Sequence, residues 1–131
     1  MKQVTLVVEN RVGVLADISF ILGRSKINID SISVSTVGDK VLFVFGLKDD
    51  TRAVQLLEAN GYKVMSNDSL VVRLPNHPGE LAKMSKLLAD EGIRVDNVLV
   101  ISQDEQFSLY SIRPDKFAKA QKALTSYLKL D

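Results

Sequence analysis

Cysteine and tryptophan are absent from the 131-residue chain, histidine occurs once and proline three times. Without cysteine there is no disulfide, no thiolate nucleophile and no cysteine-bound metal. With His77 alone, a metal site would need a cluster of carboxylates. The adjacent acids Asp49-Asp50 and Asp104-Glu105 fall in turn-like stretches, where solvated acids are usual. Charge of one sign is lacking too: 17 basic and 16 acidic residues leave a net +1, and no Lys/Arg cluster gives the footprint of a nucleic-acid binder. No apolar run approaches the roughly 18 residues of a membrane span. Gln3 and Thr5 interrupt the N-terminal stretch where a secretory signal needs an unbroken apolar region. The expectation is a cytoplasmic protein that engages neither nucleic acid nor membrane and needs no metal or cofactor.

Catalytic signatures are missing as well. Neither G-x-G-x-x-G nor G-x-x-x-x-G-K-[ST] occurs, which argues against dinucleotide and nucleoside triphosphate chemistry. No G-x-S-x-G elbow is present, so the serines have no evident activating partner. Tyr62, Tyr110 and Tyr127 fit packing positions, and no residue is expected to be catalytic.

What the chain does have is repetition. "NRVGVLA" at 10–16 returns as "NHPGELA" at 76–82, a displacement of 66 residues. The same displacement matches Ser19 with Ser85, Leu22 with Leu88, Asp30 with Asp96 and Val34 with Val100, and it pairs Ile27 with Ile93. One shift explains them all, so the chain is a duplication, with domains expected at 1–67 and 68–131. The hydrophobic set, 46% of residues, suffices for a core, although two cores of this size are individually thin.

Each copy reads alike. Val- and Leu-rich strands are expected at 2–9 and 68–75. Helices of about 12 residues follow, marked by Leu15, Ile18, Phe20, Ile21 and Leu22 and by Leu81, Met84, Leu87 and Leu88. Alternating stretches 27–37 and 93–102 lead through Gly38-Asp39 and Asp104-Glu105 into returning strands 40–47 and 106–112. Second helices are expected at 50–60, with Gly61 as C-terminal signal, and around Phe117, Ala120 and Leu124, with Pro114 near the first turn. "YKVMS" (62–66) and "LKLD" (128–131) remain as fourth strands. The fold class is α+β: two ferredoxin-like βαββαβ units in tandem, with antiparallel sheets and helices on one face.

The repeated loop admits two readings. In the architectural one, Asn caps the helix, Gly permits the turn and Leu-Ala begins the core stripe. In the functional one, Gly lets a ligand approach the backbone and the first-turn amides face its carboxylate. An Asn side chain donates and accepts at once, which suits a zwitterion.

With these elements in place the chain resembles the ACT domain, a small-molecule regulatory module of amino-acid metabolism. The resemblance rests on the Asn/Asp-x-Pro-Gly-x-Leu loop, matched in full by "NHPGEL" (76–81) and by "NRVGVL" (10–15) with Val12 in place of Pro. "KINID" (26–30) matches the family's second-strand Asn-Ile element through Asn28, with Lys26 in place of Gly; "GIRVD" (92–96) keeps the Gly and has Arg94 in place of Asn. The resemblance implies an amino-acid sensor whose ligand lies between such a loop and the second strand of a neighbouring domain. It implies ligand-binding roles for Asn10, Arg11, Val12, Gly13, Val14, Leu15 and Asn28, and for Asn76, His77, Pro78, Gly79, Glu80 and Leu81. Arg94 reads either as a carboxylate clamp or as a solvated surface charge. The partners implied are a free amino acid and a metabolic enzyme or regulator. Alternatives from other classes are a protein-interaction module without ligand and a small enzyme on the same scaffold.

The short linker "SNDS" (66–69) raises a topological expectation. Residues 62–66 and 69–74 can form a hairpin, so that each copy's last strand completes the other's sheet. The second-strand edges then stay free, and a symmetric homodimer is expected.

Overall fold

Val41, Phe43, Phe45 and Leu47 alternate with smaller or more polar neighbours. In the computed structural model, which describes residues 2–128, they line one face of a central strand. The first unit runs β1 (Lys2–Glu9), α1 (Val14–Arg24), β2 (Ser31–Val37), β3 (Lys40–Leu47), α2 (Asp50–Ala59). The second runs β4 (Leu70–Pro75), α3 (Glu80–Asp90), β5 (Val95–Gln103), β6 (Phe107–Pro114), α4 (Phe117–Ala123) and a 3₁₀ turn, Thr125–Tyr127. The chain divides into two compact units between Met65 and Ser66. Each contains a three-stranded antiparallel sheet, ordered β1-β3-β2 in one and β4-β6-β5 in the other. These are ferredoxin-like units in tandem.

In the first unit Val4 opposes Phe45 and Leu6 opposes Phe43, so the four side chains share a face. That face meets Ile18, Ile21 and Leu22 of α1 and Ala53 and Leu57 of α2. Phe43 and Phe45 stack with centroids 5.8 Å apart. The β2–β3 turn has positive φ at Gly38 (61°), the position where a II′ hairpin requires it. In the second unit Leu70, Val72, Leu74 and Ile112 meet Met84, Leu88, Ala120 and Leu124.

The helical stripe differs from the sequence reading. Ile18, Ile21 and Leu22 are buried, but Phe20 is 63% exposed, beneath the Arg24 guanidinium. Leu15 and Leu81, expected to start the core stripe, are 42% and 37% exposed. Helical geometry explains this: Val14, not Leu15, shares the face of Ile18 and Ile21 at spacings of four and seven.

Other expectations are corrected. Residues 27–30 are not strand, because α1 ends in a Schellman turn with Lys26 at φ 60° and pairing starts at Asp30 N–H to Gly46 C=O, 2.8 Å. Pro114 closes β6 rather than opening α4, whose N-cap is Lys116. The fourth strand of the first unit is reduced to a bridge, Val64 to Leu6, with Met65 N–H donating to Thr5 C=O at 2.9 Å. That bridge to the unit's own β1 overturns the expected exchange of last strands. At the other end, Leu128 packs against the second unit's own core, and 129–131 lie outside the described residues.

The gapless 66-residue shift also ends inside the second unit. A β-bulge between Val100 and Ser102 adds one residue, so that buried Ser102 takes the place of buried Ser35. Beyond it equivalent residues lie 67 apart, as Ala53 with Ala120 and Leu57 with Leu124, all fully buried.

Candidate functional site

The two loops share one geometry. Gly13 and Gly79 are the helix N-caps, left-handed at φ 87° and 89°, and the helical ladders open with Asp17 N–H to Gly13 C=O and Lys83 N–H to Gly79 C=O. Amides that precede those bonds point out along the helix axis, carrying its positive end. Neither Asn caps its helix, contrary to the architectural reading. The backbone amides of Asn10 and Asn76 instead donate to Asp39 and Gln106, each 2.9 Å, tying each loop to the adjoining hairpin. Asn76 Nδ2 adds a bond to Asp104 C=O at 2.7 Å. Val12 is fully exposed.

Around the glycines the copies diverge. In the first, Arg11 Nη2 donates to the Tyr62 hydroxyl (3.0 Å), which in turn donates to Asp17 on α1. Burial, and next the bond to Asp17, raise the Tyr62 phenol above its ordinary value. In the second, His77 replaces Arg11 and Lys83 replaces Asp17, with Lys83 paired instead to Glu80 at 3.5 Å. Tyr62 was invisible to motif reasoning because the chain returns to the loop only after α2.

The Arg11–Tyr62–Asp17 chain has a testable consequence. Tyr62→Phe is expected to lower stability by about 1 kcal/mol or less and to speed amide exchange in residues 10–13. Because the folded-state phenol pKa is raised, its contribution is full below about pH 10 and lost as pH rises through the folded value. Urea unfolding across that range should show a smaller alkaline loss in the variant.

Asn28 does not meet the loop of its own unit. It lies past the C-terminal end of α1, whose 11 residues span about 16 Å, whereas Asn10–Gly13 lie at the N-terminal end. There it donates to Asp30 (2.9 Å) and helps line a depression of about 240 Å³ with Lys26, Ile27, Lys48 and Asp49. Arg94, its counterpart, is held by its own unit: Nε to Asp96 at 2.7 Å and Nη1 to Asp115 at 3.8 Å. The bond from Arg94 in turn holds the Asp96 carboxyl below its ordinary range.

Among the described residues no group of carboxylates and histidine is arranged to hold a metal, and no helix is long and apolar enough to cross a membrane. The paired acids serve the backbone. Asp49 caps α2 through Arg52 N–H, and Asp104 accepts from Gln106 and Phe107 N–H.

Comparison with curated proteins gave no match. Among solved structures, a protein from Bacteroides thetaiotaomicron aligns at TM-score 0.50 and 24% identity, over 95% of this chain and 85% of that one. That likeness is one of fold. The regulatory subunit of aspartate kinase from Thermus thermophilus aligns at 0.44 and 20%, over 97% and 92%. The acetolactate synthase small subunit from Thermotoga maritima aligns at 0.41 and 14%, over 96% and 86%. Residues 2–59 match the family model of the ACT domain. That match spans β1 to α2 of the first unit, and the same order of elements returns in the second.

Proposed function

We propose that the chain is a non-catalytic regulatory protein that binds a free amino acid and signals its presence to a partner protein. The observation that carries this reading is that both copies of the loop, although tied to their hairpins, leave the same features outside the core. Its asparagines do not cap, its leucines lie partly exposed outside the core stripe, and its glycines turn helix amides outward. A purely architectural repeat has no need of an exposed Leu at the same place twice. The residues offered to the ligand are Asn10–Leu15 and Asn76–Leu81, with Asn28 supplied by a second chain, since the first unit keeps Asn28 and its own loop at opposite ends. Large apolar side chains exposed on the edge strands, Ile32 and Val34 on β2 and Val98, Leu99 and Val100 on β5, favour a homodimer built along these edges. A ligand bound across such an interface favours the closed arrangement, and a partner preferring that arrangement is regulated by linkage.

A thermal-shift screen against the twenty amino acids tests the proposal. At about 100 times its Kd a ligand adds roughly 2.7 kcal/mol, several degrees for a domain of this size. A selective shift that is lost in Asn10→Ala or Asn76→Ala is expected. A uniform absence of shift favours an interaction module without ligand.

A further inference from the structure

Duplication gives α1 and α3 the same place in their units, yet their outer faces differ. On α3 that face is charged and satisfied within the helix: Lys83 pairs with Glu80 at 3.5 Å and Lys86 with Asp90 at 3.0 Å. The residues 66 positions earlier are Asp17 for Lys83, Phe20 for Lys86, Gly23 for Ala89 and Arg24 for Asp90. Phe20 is 63% exposed, and Ala16 and Gly23, one turn to either side, are exposed with it.

Gly23 is a separate observation. Glycine inside a helix is disfavoured relative to alanine. Its φ is not left-handed, and among the described residues no atom beyond its own helical turn lies within 4 Å of a Cβ built there. Neither the backbone nor the packing of its own unit requires glycine. Close approach of a second helix does.

The charges select that helix. Asp17 and Arg24 lie on one flank, at opposite ends of the face centred on Phe20. In an antiparallel pair of α1 helices related by a twofold through Phe20, Asp17 of each comes beside Arg24 of the other. The small Ala16 and Gly23 meet on the opposite flank and let the axes approach to the roughly 8–10 Å of packed helices. The two Phe20 rings stack at the axis. Asp17 keeps lone pairs for this after accepting from Tyr62. Charges on α3 run the other way, Lys83 before Asp90, so α1 against α3 sets like charges together at both ends. Two α3 helices bring Lys86 against Lys86.

We infer that the outer face of α1 is a self-association surface whose occupant is α1 of a second copy of this chain, in an antiparallel, isologous pair with Phe20 at the twofold axis. This surface is separate from the strand edges of β2 and β5 and needs no amino-acid ligand, so it stands or falls apart from the proposed function. Pairing adds to stability only above its dissociation constant, and Phe20 behaves as a surface residue when dilute protein is unfolded.

Sedimentation equilibrium of the full chain from micromolar to millimolar concentration tests it. Phe20→Lys, which gives α1 the side chain that α3 carries, is expected to halve the assembled mass, and Lys86→Ala to leave it unchanged. Gly23→Leu separates folding from pairing: it raises the melting temperature of dilute protein and abolishes the pair. Arg24→Glu and Asp17→Lys each abolish it alone by opposing like charges, and an equimolar mixture of the two restores it. A chain that stays monomeric to millimolar concentration overturns the inference. So does an assembled mass indifferent to Phe20→Lys and Gly23→Leu, or a mixture of the two charge variants that does not pair. Amino-acid binding in the thermal-shift screen is read independently of each of these results.

Discussion

Phe43→Ala is expected to remove about 3–5 kcal/mol of stability, enough to lower the melting temperature of a domain this small by more than ten degrees. Phe43 is 1% exposed at the centre of β3. It opposes Leu6 and Val34 across the sheet and stacks on Phe45. β3 is the central strand, paired on both sides, so the loss of this buried ring leaves a cavity within the core. Phe20→Ala is the internal control. Its ring lies at the surface under Arg24, and its loss is expected to change stability by about 0.5 kcal/mol or less. Chemical denaturation of both variants separates a core aromatic from a surface one of identical composition. A similar cost at both positions would contradict the core described for the first unit.

The second large effect is at Gly79. No atom lies within 4 Å of a Cβ built there, so only its φ of 89° resists substitution. An L-residue in this region costs roughly 1–2 kcal/mol, and a β-branched one more, whereas Asn tolerates it best. Stability is therefore expected to fall in the order Gly, Asn, Ala, Val, with volume playing no part. Loop function should follow the same order, because any residue that leaves φ > 0 re-aims the amides opening α3. Equal stabilities for Gly79→Ala and Gly79→Asn would point to crowding instead of backbone conformation. Melting curves for the three variants suffice.

Most of this fold was legible because duplication and periodicity are local signals. The strands at 2–9 and 40–47, the helix at 50–60 and the Gly-opened helices fell within a residue or two of their observed bounds. What escaped was set by geometry that no local pattern carries. A bulge near Ile101 shifts the register of everything after it, so Asp115 rather than Pro114 is the counterpart of Lys48. The last strand of the first unit looked available for exchange because a four-residue linker constrains distance but not pairing, and one bridge to Leu6 settled it. At the site, the Gly turns could be read directly from the motif. The exposure of Leu15 and Leu81 could not, since an apolar residue beside a helical stripe looks the same whether it falls inside or outside the buried arc. Arg94 was ambiguous in sequence for a similar reason: its fate depends on Asp115, which only the fold brings to it.

The central claim is that the chain binds a free amino acid through these loops. Residue-resolved NMR titration of isotopically labelled protein with the twenty amino acids, at millimolar concentration, tests it most directly. Saturable, selective shifts of the amides at Gly13 and Asn28, or at Gly79, are the expected result. Spectra unmoved by every amino acid, or moved alike by all of them, would contradict it.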